Sequence, residues 1–168
     1  MRYRLEPLTA EHDLDPFDSG KPPLDEWLRH HARNATGQGT RTNLLIDAQT
    51  DAVVGFFAIA PHLIARDEAP RSIGRGAPAR IPAILLAKLA LDQRLQGRGL
   101  GAELLIHALT TIITAARTAG GRIIVVDAID DQAAAFYRAH DFQPAPSDPQ
   151  RLVMKLSTAA RALSLPWP

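Results

Sequence analysis

The chain contains no cysteine. That excludes disulfides, a thiolate nucleophile and thiolate metal sites. Any metal ligation would fall to six histidines, whose positions show no metal-like spacing, so no metal is expected. No apolar run approaches the roughly 18 residues that a membrane span needs. The opening Met1-Arg2-Tyr3-Arg4-Leu5-Glu6-Pro7 lacks the apolar centre of a signal peptide. A cytoplasmic protein with no membrane partner is the expectation. Internal repeats and low-complexity segments are also missing. With 168 residues, 46% of them apolar, one well-buried core is affordable and two are not. We expect a single domain over residues 1–168, with 161–168 a tail.

Net charge is only +1, but its distribution is uneven. Acids gather early, at Glu6, Glu11, Asp13, Asp15, Asp18, Asp25 and Glu26. Arg29, Arg33 and Arg41 follow with His30 and His31 alongside, and a second basic stretch holds Arg66, Arg71, Arg75, Arg80, Lys88, Arg94 and Arg98. Two basic patches in a near-neutral chain point to polyanionic ligands.

Tyr3 to Leu8, Thr42 to Asp47 and Ala52 to Ala60 pattern as strands, the last two forming a hairpin around Ala48–Asp51. Leu24, Trp27, Leu28 and His31 recur at helical spacing behind Pro22-Pro23. Trp27 is expected to pack on the core. Of the adjacent His30 and His31, which must face different ways, one should pack and one should face solvent or phosphate. Arg66 to Arg80, rich in glycine, proline and arginine with little to bury, reads as a mobile or ligand-ordered loop. Ile81 to Leu91 is a long strand. A helix follows from about Gly101 to Ala119, with Leu100, Leu104, Leu105, Ala108, Leu109, Ile112 and Ala116 inward and Gly120-Gly121 as its stop. Arg122 to Ala128 is a strand covered on both faces. Asp130 caps a helix through Phe136 and Tyr137, and after the turn-rich Pro144 to Pro149 the final strand is Arg151 to Leu156. The fold class is α/β, a mixed and mostly antiparallel sheet with helices on both faces.

Between the long strand and the long helix lies Arg94-Leu95-Gln96-Gly97-Arg98-Gly99-Leu100-Gly101. Glycines there let the backbone turn tightly and present successive N–H groups, to which the helix adds its unpaired first donors and positive dipole end. Such a cradle suits a pyrophosphate. A dinucleotide-binding reading fails on two counts: the loop lies in mid-chain after several strands, and no acid stands at a strand end about 20 residues on.

The combination of Gln96, Gly99 and Gly101, preceded by Leu89-Ala90-Leu91-Asp92 and followed by Phe136-Tyr137, resembles the GNAT superfamily of acetyl-CoA-dependent N-acetyltransferases. Phe17-x-Ser19-Gly20, Leu24-Asp25-x-Trp27-Leu28, Ala32, Asn34 and Gly39-x-Arg41-Thr42 narrow the resemblance to GNAT toxins of bacterial type II toxin–antitoxin pairs, which acetylate the α-amino group of aminoacyl-tRNA and stop translation. The pattern's usual Arg is Lys88 here, and its usual Gly before Phe142 is Asp141, which tolerates a left-handed turn better than most residues.

That resemblance implies acetyl-CoA in a splay between the strand ending near Leu91 and the strand Arg122 to Ala128. Leu89, Ala90 and Leu91 would hold its pantetheine arm through their backbone and polarise the thioester carbonyl. Arg94, Gln96, Gly97, Arg98, Gly99, Leu100 and Gly101 would hold its pyrophosphate. Tyr137 would be the catalytic acid to the leaving thiolate, uphill by about 2 kcal/mol on ordinary pKa values. Arg29, Arg33, Arg41, Arg71, Arg75, Arg80 and Lys88 would contact the tRNA. It further implies a ribbon-helix-helix antitoxin and a homodimer. The alternatives are an acetyltransferase of a small amine or a protein N-terminus, and a non-catalytic acetyl-CoA-binding module.

Overall fold

The structure, a computed structural model, describes residues 2–168; Met1, first in the opening segment read above, lies outside the described residues. Its strands are β1 (Tyr3–Pro7), β2 (Arg41–Asp47), β3 (Val53–Ala65), β4 (Arg80–Leu91), β5 (Ile123–Asp127), β6 (Gln143–Ala145) and β7 (Asp148–Lys155). Its helices are α1 (Pro22–His30), α2 (Ala32–Thr36), α3 (Arg71–Gly74), α4 (Leu100–Ala119), α5 (Asp131–Ala139) and α6 (Leu156–Ala162), with single 3-10 turns at Arg66–Glu68 and Gln93–Leu95. The strands form one open mixed sheet in the order β1-β2-β3-β4-β5-β7-β6. The β1–β2, β2–β3, β5–β7 and β6–β7 pairs are antiparallel and β4–β5 is parallel.

By internal contacts the chain groups into two compact units, Met1–Ala60 with Ala87–Ala108, and Pro61–Leu86 with Leu109–Pro168. In the first, β1, β2 and the start of β3 form an antiparallel meander. The β2–β3 turn closes where Asp47 accepts the N–H of Gln49 at 2.9 Å and Asp51 takes a left-handed φ of 58°. The sheet packs on α1 and α2 through Phe17, Leu24, Leu28, Ala32, Leu44, Ile46, Val53 and Phe56. Prolines at the first helical positions of α1 cost nothing there, because those N–H groups would have no intrahelical acceptor.

In the second unit, β5 is buried throughout Ile123–Val126 and pairs with Ala83–Leu86 on one side and β7 on the other. A strand covered this way must be continuously apolar. Asp130 caps α5 by accepting the N–H of Ala133 at 2.8 Å. Asp141 closes the helix with φ at 71°, and the N–H of Phe142 reaches back to the carbonyl of Tyr137 at 3.1 Å. The substitution of Asp for Gly at this turn is therefore accommodated.

Four features differ from the sequence reading. The Arg66–Arg80 stretch is not short of things to bury. It contains α3, and Ala69, Ile73 and Ala77, four apart, are buried with Ile64, Ile81, Ile123, Val125 and Val153. Its glycines and arginines masked that sparse stripe. The turn-rich Pro144 to Pro149 belongs to a hairpin, β6–β7. The tail is partly structured: α6 runs to Ala162, buries Leu156, Ala159 and Ala160, and is followed by Leu165, whose N–H bonds the carbonyl of Ala160 at 2.8 Å. Both His30 and His31 are exposed, so neither packs.

Candidate active site

The loop after β4 has the shape its glycines call for. Gly97 and Gly99 take φ of 80° and 79°, values that side chains rarely adopt. Among the described residues, the N–H groups of Gly97 through Ala102 find no backbone acceptor. The run passes straight into the first turn of the 20-residue α4. Consecutive unpaired donors at the positive end of a long helix fit a phosphate-bearing ligand.

What holds this loop is the N-terminal segment. Asp92, 1% exposed, accepts the N–H of Asp18 at 3.3 Å. Gln93 donates its N–H to the carbonyl of Asp18 at 2.9 Å and its amide to the Asp18 carboxylate at 3.0 Å. The Gln96 amide donates to two carbonyls, Ser19 at 2.9 Å and Leu91 at 2.8 Å. Gly20 has φ of 83°, and a Cβ there would stand 3.2 Å from the Gln93 amide oxygen. Ser19 in turn gives both its N–H and its hydroxyl to the buried Asp25 of α1, at 3.0 and 2.7 Å. The sequence reading missed Asp18, Ser19, Asp25 and Asp92 as parts of the site, although the Phe17-x-Ser19-Gly20 and Leu24-Asp25 patterns were the available signal.

Arg94 is less free than its place in the loop suggests. Its guanidinium pairs bidentately with Asp92 at 2.8 and 3.1 Å. Burial alone would push the Asp92 carboxyl up. The hydrogen bonds from the Arg94 side chain and N–H and from the Asp18 N–H outweigh it and hold the group below the usual carboxylate range. Arg98 is exposed and has no side-chain partner among the described residues.

Leu89, Ala90 and Leu91 end β4. The parallel ladder of β4 with β5 stops at Leu86 and Val126, whereas β4 itself runs five residues further. Gly55 of β3 faces this end: a Cβ there would lie 3.3 Å from the Ala90 carbonyl oxygen. Lys88 places its ammonium over the Trp27 ring, 5.6 Å from the centroid, and Trp27 stacks on Phe56 at 6.0 Å. Trp27 is thus a packing residue, as expected, and Lys88 has an intramolecular partner.

Tyr137 lies in α5, 5% exposed, with Phe136 and Phe142 edge-on at 5.3 and 5.6 Å. Burial pushes its phenol well above the ordinary value, so the group is protonated throughout the neutral range.

The arginines divide into two sets. In the first unit Arg29 donates to the carbonyl of Phe17 at 3.0 Å, Arg33 to those of Thr9 and His12 at 3.1 and 2.6 Å, and Arg41 to those of Thr36 and Thr40 at 3.0 and 3.3 Å. Each fastens its own chain, while exposed Arg33 and Arg41 keep unused donors. In the second unit Arg71, Arg75 and Arg80 are exposed, with no side-chain partner among the described residues. Arg66, Arg71 and Arg75 line a cleft of about 810 Å³. Of its lining residues, Arg66 donates to the carbonyl of Ala77 at 3.0 Å; Glu68, outside the lining, lies 3.7 Å from Arg151, which pairs with Asp127 at 2.8 and 3.0 Å.

Residues 8–142, across both units, match the acetyltransferase (GNAT) family. The chain belongs to that family. It is 41% identical over 151 residues, 90% of each chain, to the tRNA-acetylating toxin of Mycobacterium tuberculosis (strain ATCC 25618 / H37Rv). Among solved structures it is similar to AtaT complexed with acetyl-methionyl-tRNAfMet, with 27% identity, a TM-score of 0.86, and 96% of this chain and 99% of that one covered. It is also similar to a mutant AtaT toxin bound to the C-terminus of the antitoxin AtaR and acetyl-CoA, with 25% identity, a TM-score of 0.82, and 98% and 99% covered. The GNAT fold and the acetyltransferase class expected from sequence are both borne out.

Proposed function

We propose that this GNAT enzyme is a toxin that transfers acetyl from acetyl-CoA to the α-amino group of aminoacyl-tRNA in the cytoplasm, and so blocks translation. The observation that carries the reading is the anion cradle Gly97–Ala102 wired to the Phe17–Asp25 block, since that block is what separates the toxin branch from other GNATs. The relatives' own substrates, charged tRNA and acetyl-CoA, agree with it.

In this reading the cradle N–H groups and Arg98 hold the pyrophosphate, with Arg94 lending what charge Asp92 leaves it. The backbone at Leu89–Leu91 holds the pantetheine arm. The amine attacks the thioester carbonyl, a C–N bond forms and the C–S bond breaks. Tyr137 gives its proton to the departing thiolate, the proton on the acylated nitrogen leaves to water, and water returns a proton to the Tyr137 phenolate. An α-amine of reference pKa about 8, lowered by the neighbouring ester, is neutral often enough to need no dedicated base, unlike a lysine near 10. Arg71, Arg75 and Arg80 take tRNA phosphates, and the unused donors of Arg33 and Arg41 add to them. Arg29 and Lys88 act at closer range to their own chain. A ribbon-helix-helix antitoxin and a homodimer complete the reading; co-purification with a small ribbon-helix-helix protein and light scattering test them.

The direct test follows label from acetyl-CoA into a pool of charged tRNAs, with uncharged tRNA, free amino acids and polyamines as controls. Label on aminoacyl ends is expected. Label on small amines alone would overturn the substrate assignment while leaving the enzyme class intact.

A further inference from the structure

The toxin-branch block has no chemistry of its own, yet it carries a buried carboxylate. Asp25 is 4% exposed and stands in the first turn of α1. A buried charge persists only where hydrogen bonds repay its lost hydration, and here the Ser19 N–H and hydroxyl supply them at 3.0 and 2.7 Å. The same residue's carbonyl, in the next peptide unit, receives the Gln96 amide at 2.9 Å. Gln96 is the residue immediately before the first free N–H of the cradle, and its second amide hydrogen ties it to the Leu91 carbonyl at the end of β4. A continuous chain of hydrogen bonds therefore runs from the interior of α1 to the rim of the anion loop.

We infer that Asp25 is a positioning residue for acetyl-CoA, acting through Ser19 and Gln96 to fix the cradle in its receptive shape before ligand arrives. This rests on the reading of Gly97–Ala102 as a pyrophosphate site. The physical argument is pre-organisation: the alternating glycines Gly97, Gly99 and Gly101 cost conformational entropy to order, and a loop ordered in advance does not charge that cost to binding. Charge-assisted bonds from Ser19 to a buried carboxylate are stiffer than neutral ones, and that stiffness passes to Ser19's carbonyl and to the Gln96 amide it anchors. Asp25 touches neither donor nor acceptor substrate in this scheme.

The test compares two acetyl donors on the full-length protein: acetyl-CoA, and acetyl-pantetheine, which lacks the pyrophosphate. In Asp25→Asn, kcat/KM for acetyl-CoA should fall about tenfold, the worth of one charge-assisted hydrogen bond, through KM rather than kcat. Acetyl-pantetheine should be used as well as by the wild type. Equal losses with both donors, or no loss with either, would overturn the relay. Should Asp25→Asn fail to fold, Ser19→Ala, which removes the hydroxyl's bond to Asp25 and keeps the Ser19 N–H and carbonyl in place, carries the comparison with a smaller expected loss. If the wild type itself does not prefer acetyl-CoA to acetyl-pantetheine, the pyrophosphate assignment fails instead, and the two failures are told apart.

Discussion

Tyr137 and Asp92 are both buried groups whose proton equilibria have been moved, in opposite directions and with opposite consequences. The Tyr137 phenol is raised by burial, so it stays protonated across the whole working range, while being a weaker acid toward the thiolate than its ordinary value implies. Activity should accordingly climb as the substrate amine deprotonates, below about pH 8 because the ester lowers it, and stay level to about pH 10; a decline of kcat/KM between about pH 8 and about pH 10 would mean that another group is the acid. Tyr137→Phe should bind acetyl-CoA normally, as read by calorimetry, and lose about two orders of magnitude or more in turnover. Asp92 is held below its ordinary value. A depressed carboxylate stabilises the fold above its unfolded pKa of about 4 and loses that contribution as pH falls through its folded value. Wild type should therefore melt above Asp92→Asn at neutral pH, with the gap closing in acid; a gap independent of pH would show that charge is not what Asp92 supplies. Tyr137 was legible in the sequence because its neighbours on the chain identified it. Asp92 was not, because its donors Asp18 and Arg94 lie on both sides of it, one of them 74 residues away.

Regular elements could be read where periodicity was strong, as in α4 with its stripe of Leu104, Leu105, Ala108, Leu109, Ile112 and Ala116. α4 also has the length and a mean hydropathy of 1.2 that would fit a membrane span, but that stripe is buried within the protein. The Arg66–Arg80 segment could not be read, since three buried residues spaced four apart are outvoted by the charges between them. Its two kinds of residue should now separate experimentally. Ile73→Ala should cost about 2–4 kcal/mol in denaturant unfolding. Arg75→Glu, at an exposed position, should leave stability unchanged and raise the KM for charged tRNA, an effect that shrinks with added salt; a salt-independent loss would point to folding instead. α6 was hidden for a different reason. Only seven residues long, it gives too few turns for a periodic signal, and its buried Leu156 falls where a strand's last residue was expected.

At the scale of the whole molecule, a near-neutral chain keeps its unpartnered arginines in local sets. Salt should therefore weaken use of charged tRNA far more steeply than use of acetyl-CoA, whose cradle relies on backbone donors; parallel salt slopes for the two KM values would contradict that division. The mixed sheet was legible as a class, whereas its strand order was not, because register is fixed by contacts between distant segments.

The wiring of the first unit also has a temporal side. It is discontinuous in the chain, Met1–Ala60 being completed by Ala87–Ala108, and the bonds that shape the cradle join residues 74 to 77 apart. Closing so long a loop is entropically slow and comes after local hairpins have formed. During synthesis the N-terminal block must emerge and wait for the loop. A growing chain therefore cannot assemble its anion cradle, and so cannot engage acetyl-CoA there, until well over half of the protein has left the ribosome.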